Sequence, residues 1–259
     1  HIYVFARSEP AAGAAGTFVN RNHFANYLLL FFPILFSWFA LCFRFLKQGE
    51  KRPLSIVGQG FFLAFVLTAV VMGIVLSHSR MAIATMLLAA FLLVLSFSVS
   101  AGSKKAVLLL LVLLALALLV LVYLDPGFPL FQFRVFSFAK EFEGNRLRVW
   151  QDSLGIIRDF PWMGTGLETF QFMSQKYSSV PIISRYTHAH NDWVELLVET
   201  GIVGFVLFAG SAVLFFATFI TRLRQLDSAL RLLGVGILVS ILTFLVHSIA
   251  EFNFHIPAN

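Results

Sequence analysis

The stretch LSIVGQGFFLAFVLTAVVMGIVLS, Leu54–Ser77, runs without one charged side chain. A helix needs about 20 mostly apolar residues to cross a hydrocarbon core of about 30 Å, because lipid offers backbone N–H and C=O groups no partner outside the helix. This stretch meets that requirement alone, and it makes the chain a membrane protein. Five more stretches qualify on either side: Phe24–Phe43, Met81–Ser103, Ala106–Leu124, Thr200–Thr221 with a start near Val194, and Leu232–Ala250, in which His247 is the one titratable residue. The expected fold is all-α and polytopic, with about six spans and one large loop.

Composition agrees. Hydrophobic residues make up 59% and charged residues 12% of the 259, where a soluble domain carries roughly 25% charged. The single cysteine, Cys42, lies in an apolar run, which excludes an internal disulfide framework and a cysteine-based metal cluster. The net charge of +6 is scattered over helix ends and forms no nucleic-acid module, so no nucleic-acid partner is expected. The partner it implies is the lipid bilayer. The chain begins at His1 and stops at Pro257-Ala258-Asn259, so we expect a piece of a longer protein.

Lys and Arg in short loops stay on the cytoplasmic side. Arg44, Lys47, Lys51 and Arg52 precede the second span, Lys104 and Lys105 the fourth, and Arg222, Arg224 and Arg231 the sixth: nine basic residues against the two acids Glu50 and Asp227. The other side holds the remaining ten basic and eleven acidic residues. This asymmetry puts the loop Asp125–Trp193 outside, in the periplasm of a Gram-negative cell. Three parts follow: residues 1–124 with four spans, the loop 125–193, and residues 194–259 with two spans. The loop is too apolar and aromatic to be disordered. In it, Leu147, Trp150, Leu154 and Ile157 have the spacing of an amphipathic helix over Asn145–Arg158, suited to the membrane interface. Pro161 ends that helix, and Gly164-Thr-Gly166 turns into a second short one over Leu167–Gln175.

Polar candidates gather at the outer helix ends and in the loop. Arg80, beside His78, either snorkels to headgroups or serves a site. Arg146 and Arg148 either bind lipid phosphates or use their planar forks on a diphosphate. The densest cluster is Thr187-His188-Ala189-His190-Asn191-Asp192-Trp193-Val194-Glu195, running on to Glu199-Thr-Gly201. His188 and His190 lack a third ligand at a recognisable spacing, so no metal is expected and an imidazole base is preferred. Asn191, Glu195 and Glu199 are four apart and form one helical stripe. Such carboxylates either face an internal cavity or pair with Arg80, Arg146 or Arg148. His247 and Glu251 repeat the spacing at the end of the last span, where a helix-end hydrogen bond competes with a functional role.

These residues resemble the O-antigen ligase and O-antigen polymerase superfamily of bacterial membrane glycosyltransferases over nearly the whole chain. The resemblance rests on Gly16-Thr-Phe-Val-Asn20-Arg-Asn22-His23, Ser79-Arg80, Asn145-Arg146-Leu-Arg-Val-Trp150 and Asp159-Phe-Pro161-Trp-Met-Gly164-Thr-Gly166. It continues through His188-Ala-His190-Asn191-Asp, Glu199-Thr-Gly201 and His247-Ser-Ile-Ala-Glu251-Phe-Asn253-Phe-His-Ile-Pro257. Glu251 stands where such proteins often have Asp.

The resemblance implies inverting, metal-independent transfer of a glycan from an undecaprenyl-diphosphate carrier to a hydroxyl acceptor, at the periplasmic face of the inner membrane and without a cofactor. It implies Arg80 and Arg146 as diphosphate binders and His190 as general base. Arg148, Asn191, His247 and Glu251 are further binding candidates, and His188 and Glu199 further catalytic ones. The resemblance leaves the acceptor open between a lipid A core, another lipid-linked repeat and a protein, with a lean toward a polymerase. The rival class is a polysaccharide or lipid-linked oligosaccharide transporter or flippase. A transporter places charges near the midplane or breaks its spans there, whereas these charges lie at the outer edge and the spans read as intact.

Overall fold

The computed structural model describes residues 14–18, 20–47, 54–101, 146–179 and 187–256. The predicted span Ala106–Leu124 and the first part of the loop lie outside the described residues. Among the described residues the structure is all-helical: α1 (Arg21–Lys47), α2 (Leu54–Leu76), α3 (Arg80–Ala101), α4 (Leu147–Asp159), α5 (Phe170–Tyr177), α6 (Asp192–Leu223), α7 (Ser228–His247) and a 3-10 turn Asn253–His255. Five of these, α1, α2, α3, α6 and α7, are long and apolar enough to cross a membrane. The chain is therefore a polytopic all-α membrane protein.

Two compact units divide it: His1–Ala101 with Leu223–His247 and Ile256–Asn259, and Gly102–Arg222 with Ser248–His255. In the first, α1 packs against α2, α3 and α7 around a core that includes Leu29, Phe32, Ile74, Met86, Leu93 and Val239. Pro33 removes a backbone N–H from α1. One turn away the Leu30 carbonyl accepts the Ser240 hydroxyl of α7 at 2.6 Å, a polar tie suited to a helix pair in lipid. Ser77, His78 and Ser79 make the connection from α2 to α3, with the Ser79 carbonyl accepting the Ile83 N–H at 3.0 Å and its hydroxyl facing the Ala82 N–H.

The second unit holds α4, α5, most of α6 and the segment after α7. The amphipathic stretch folds as α4, burying Val149, Ser153 and Ile156. Val149 and Ile156 join Phe170 of α5, Ala189 and Val198 of α6 in one apolar cluster. The second short helix starts three residues later than its sequence pattern suggests, at Phe170, because Gly166 (φ 105°) and Glu168 (φ 60°) hold the preceding turn outside the helical region.

The sequence reads as an unbroken span through this part of the chain, but α6 is interrupted at Gly201, whose φ of 63° and ψ of −171° lie in a region glycine alone adopts freely. A helix break leaves carbonyls without partners before it and N–H groups after it. The turn 161–166 supplies both kinds: Thr165 and Gly166 N–H donate to the Val198 and Glu199 carbonyls at 3.0 and 2.9 Å. In return, Ile202 and Val203 N–H donate to the Pro161 and Trp162 carbonyls at 2.8 and 3.2 Å. Gly164 and Gly201 meet backbone to backbone, so a side chain on either would collide with the main chain of the other's segment. The short helix that carries the acidic stripe is thus set off from the long apolar one.

Candidate active site

Asn191 starts α6. Its side-chain oxygen accepts the N–H groups of Trp193 and Val194 at 3.0 and 3.2 Å, the usual work of an N-cap. Asp192 and Glu195 then fall in the first turn, where carboxylates suit the positive end of the helix. Asp192 also gathers the segment that returns after α7. Its N–H faces the Ser248 and Glu251 carbonyls at 3.0 and 3.2 Å, and its Oδ2 accepts the N–H groups of Asn253 and Phe254 at 2.7 and 3.1 Å. Glu251 and His255 are thereby held against the turn that bears His188 and His190.

Four carboxylates of this unit are nearly fully buried: Asp192 and Glu195 at 1% exposure, Glu251 at 2% and Glu199 at 3%. Buried charge is costly unless paired. Glu251 is shared: its Oε1 accepts Arg146 Nη2 at 3.0 Å, and its Oε2 lies 3.5 Å from His190 Nδ1. Arg146 also donates from Nη1 to the Ala250 carbonyl at 2.7 Å. Two of its five N–H donors are engaged there, and its side chain remains 28% exposed. His190 has a φ of 49°, a left-handed backbone uncommon for a residue with a Cβ, and its ring packs edge-on to Phe252.

His188 stacks on the other side of the site, its ring centroid 4.3 Å from that of Phe252. Its Nδ1 meets Glu195 Oε1 at 2.8 Å, and Glu195 Oε2 accepts the Ala189 N–H at 2.9 Å. The hydrogen bond to Glu195 raises the His188 pKa above the ordinary imidazole value, against the lowering effect of burial. The pairing is therefore complete below about pH 6.5 and is lost as pH rises through the raised value. His255 completes the group, with Nε2 3.4 Å from Glu195 Oε1.

The competing pairings of the acidic stripe resolve differently from either sequence alternative. Glu195 pairs with two histidines, and Glu199 accepts the N–H of Phe170 at 3.1 Å, fixing the start of α5. The third residue that His188 lacks in sequence is Glu195 with His255, a side chain to which sequence reasoning gives no role; its one signal is the four-residue spacing from Glu251. Arg148 is exposed on α4. Arg80, the exposed first residue of α3, and His247, the buried last residue of α7, belong to the other unit.

No curated protein matches this chain. A family model described as O-antigen ligase matches residues 63–209, more than half of it, spanning Arg80, Arg146, both loop histidines and Glu199 and ending before Glu251 and His255. The chain belongs to the O-antigen ligase family.

Proposed function

We propose that this protein transfers a glycan from an undecaprenyl-diphosphate carrier to a hydroxyl of a growing polysaccharide or a lipid A core, with inversion, at the periplasmic face of the inner membrane. The observation that carries this reading is the single buried carboxylate of Glu251 between Arg146 and His190. With Nδ1–H turned to Glu251, His190 presents Nε2 as the proton acceptor. The acceptor oxygen attacks the anomeric carbon, its proton passes to Nε2, and the bond to the diphosphate breaks. Negative charge grows on the leaving undecaprenyl diphosphate, and the free part of the Arg146 fork stabilises it where a divalent cation would otherwise serve.

The reaction is tested with the purified full chain, a defined undecaprenyl-diphosphate glycan, and separately a lipid A core or a second lipid-linked repeat as acceptor. We expect a new glycosidic product with the lipid-linked repeat. Movement of the donor across vesicles without any product would favour the transporter. Arg146→Lys and Arg80→Lys keep the charge and lose the fork, so donor affinity and turnover should fall together, each on the order of 10-fold.

The orientation has its own test. In a Cys42-free background, cysteines at Lys104 and Arg224 should be shielded from a membrane-impermeant thiol reagent in intact spheroplasts, while one at Ser178 labels. Labelling at Arg224 without permeabilisation would put the site in the cytoplasm.

A further inference from the structure

The group His188, Glu195 and His255 takes no part in the transfer proposed above. Their ligand atoms, His188 Nδ1, Glu195 Oε1 and His255 Nε2, lie within 4.8 Å of one another. A fourth donor points the same way. Asp192 Oδ1 is buried and lies 4.0 Å from His255 Nε2, with the Ser248 side chain a hydrogen-bond partner of this carboxylate. Its sister oxygen is already satisfied by Asn253 and Phe254.

We propose that His188, Glu195, His255 and Asp192 form a site for a zinc-like divalent cation that staples the His188–Asn191 turn to the returning 248–255 segment. Two imidazoles with two carboxylates are a donor set of borderline softness, which suits zinc better than magnesium or calcium. Donor atoms about 2.1 Å from a tetrahedral zinc stand roughly 3.4 Å apart. His255 Nε2 and Glu195 Oε1 are already 3.4 Å apart. His188 Nδ1 and Glu195 Oε1, at 2.8 Å, have to open by about half an ångström to match that tetrahedral spacing.

The surroundings match what orients metal ligands elsewhere. A metal-bound histidine usually gives its other ring nitrogen to a carboxylate or carbonyl, and His255 Nδ1 faces Glu168 Oε1 at 3.4 Å. Glu195 Oε2 is fixed by the Ala189 N–H. The side chains of His188 and His255 are 23% and 18% exposed, which leaves a way in for the ion. Neither Arg146, Glu251 nor His190 is a ligand, so the cation is structural and the site stands independently of the transfer reaction.

The experiment uses the full chain in detergent, stripped with a chelator and titrated with Zn²⁺ alone. We expect one equivalent to bind saturably and, at about a hundredfold excess over Kd, to raise Tm by roughly 5 °C. His255→Ala and Glu195→Gln should each weaken Zn²⁺ by roughly 100-fold, at or beyond the upper end of what loss of an outer-shell partner costs. His190→Gln should leave it unchanged. Should a ligand variant fail to fold, Co²⁺ in the unaltered chain decides, since a four-coordinate site gives intense visible bands and an octahedral one weak bands. No stoichiometric Zn²⁺ binding, weak octahedral Co²⁺ bands, or a His255→Ala protein that binds like the parent while His190→Gln does not, would overturn the site.

Discussion

Replacing His190 with alanine should lower turnover by about 10² to 10⁴, the contribution of a positioned proton acceptor, while the protein still inserts and still binds the lipid-linked donor. The basis is geometric. His190 stands on a left-handed backbone with its Nδ1 toward a buried carboxylate and its ring against Phe252, which sets the direction of the ring and leaves Nε2 on the side away from Glu251. His190→Gln keeps a hydrogen-bonding side chain and loses the base, so it should be nearly as slow. His188→Ala should be milder, because that ring engages Glu195 and no proposed reacting group. Initial transfer rates and donor affinities at matched expression separate these cases. Near-normal turnover in both His190 variants would remove the residue from the mechanism and leave Glu195 or Glu199 as the base to test.

The second large effect is on folding. Gly201→Ala should cost several kcal/mol, since its backbone region alone carries about 1–3 kcal/mol of strain for other residues and overpacking adds about 1–3 more. The added methyl would land on the Trp162 carbonyl and the Gly164 N–H, which are main-chain atoms with no freedom to move aside. Gly210→Ala is the control. It lies farther along the same helix with nothing within 4 Å of the new methyl, and it exchanges a poor helix former for the best one. The melting temperature in detergent should therefore fall sharply, or folded protein be lost, for Gly201→Ala alone. Equal melting temperatures for the two variants would mean that the 161–166 turn does not cross α6 as described.

What the sequence made legible is what depends on neighbours along the chain. Uninterrupted apolar runs mark the described spans because lipid leaves a backbone no other choice, and the spacing of Leu147, Trp150, Leu154 and Ile157 marks α4 to within two residues at its start, although the face it buries is that of Val149, Ser153 and Ile156 and Leu154 is exposed. The break at Gly201 escaped for the same reason. Apolar residues continue on both sides of it, and its partners lie about forty residues upstream, in a turn that periodicity treats separately. The site was legible as a list of polar residues and illegible as pairs. Arg146 and Glu251 are 105 residues apart, and His190 and Glu251 are 61 apart. Backbone donors were hidden as well: Glu199 meets the Phe170 N–H and Asp192 those of Asn253 and Phe254, and no side-chain pattern announces a main-chain partner.

The shared carboxylate of Glu251 has a thermodynamic consequence. Arg146 and His190 draw on the two oxygens of one anion, so their occupancies are linked. In the proposed reaction, a diphosphate arriving at Arg146 would compete for the guanidinium and leave more of the Glu251 carboxylate to the His190 ring. Linkage is reciprocal. Whatever the arriving donor would add to the hold of Glu251 on His190, that hold would add to the affinity for the donor, and release of the leaving group would undo both together.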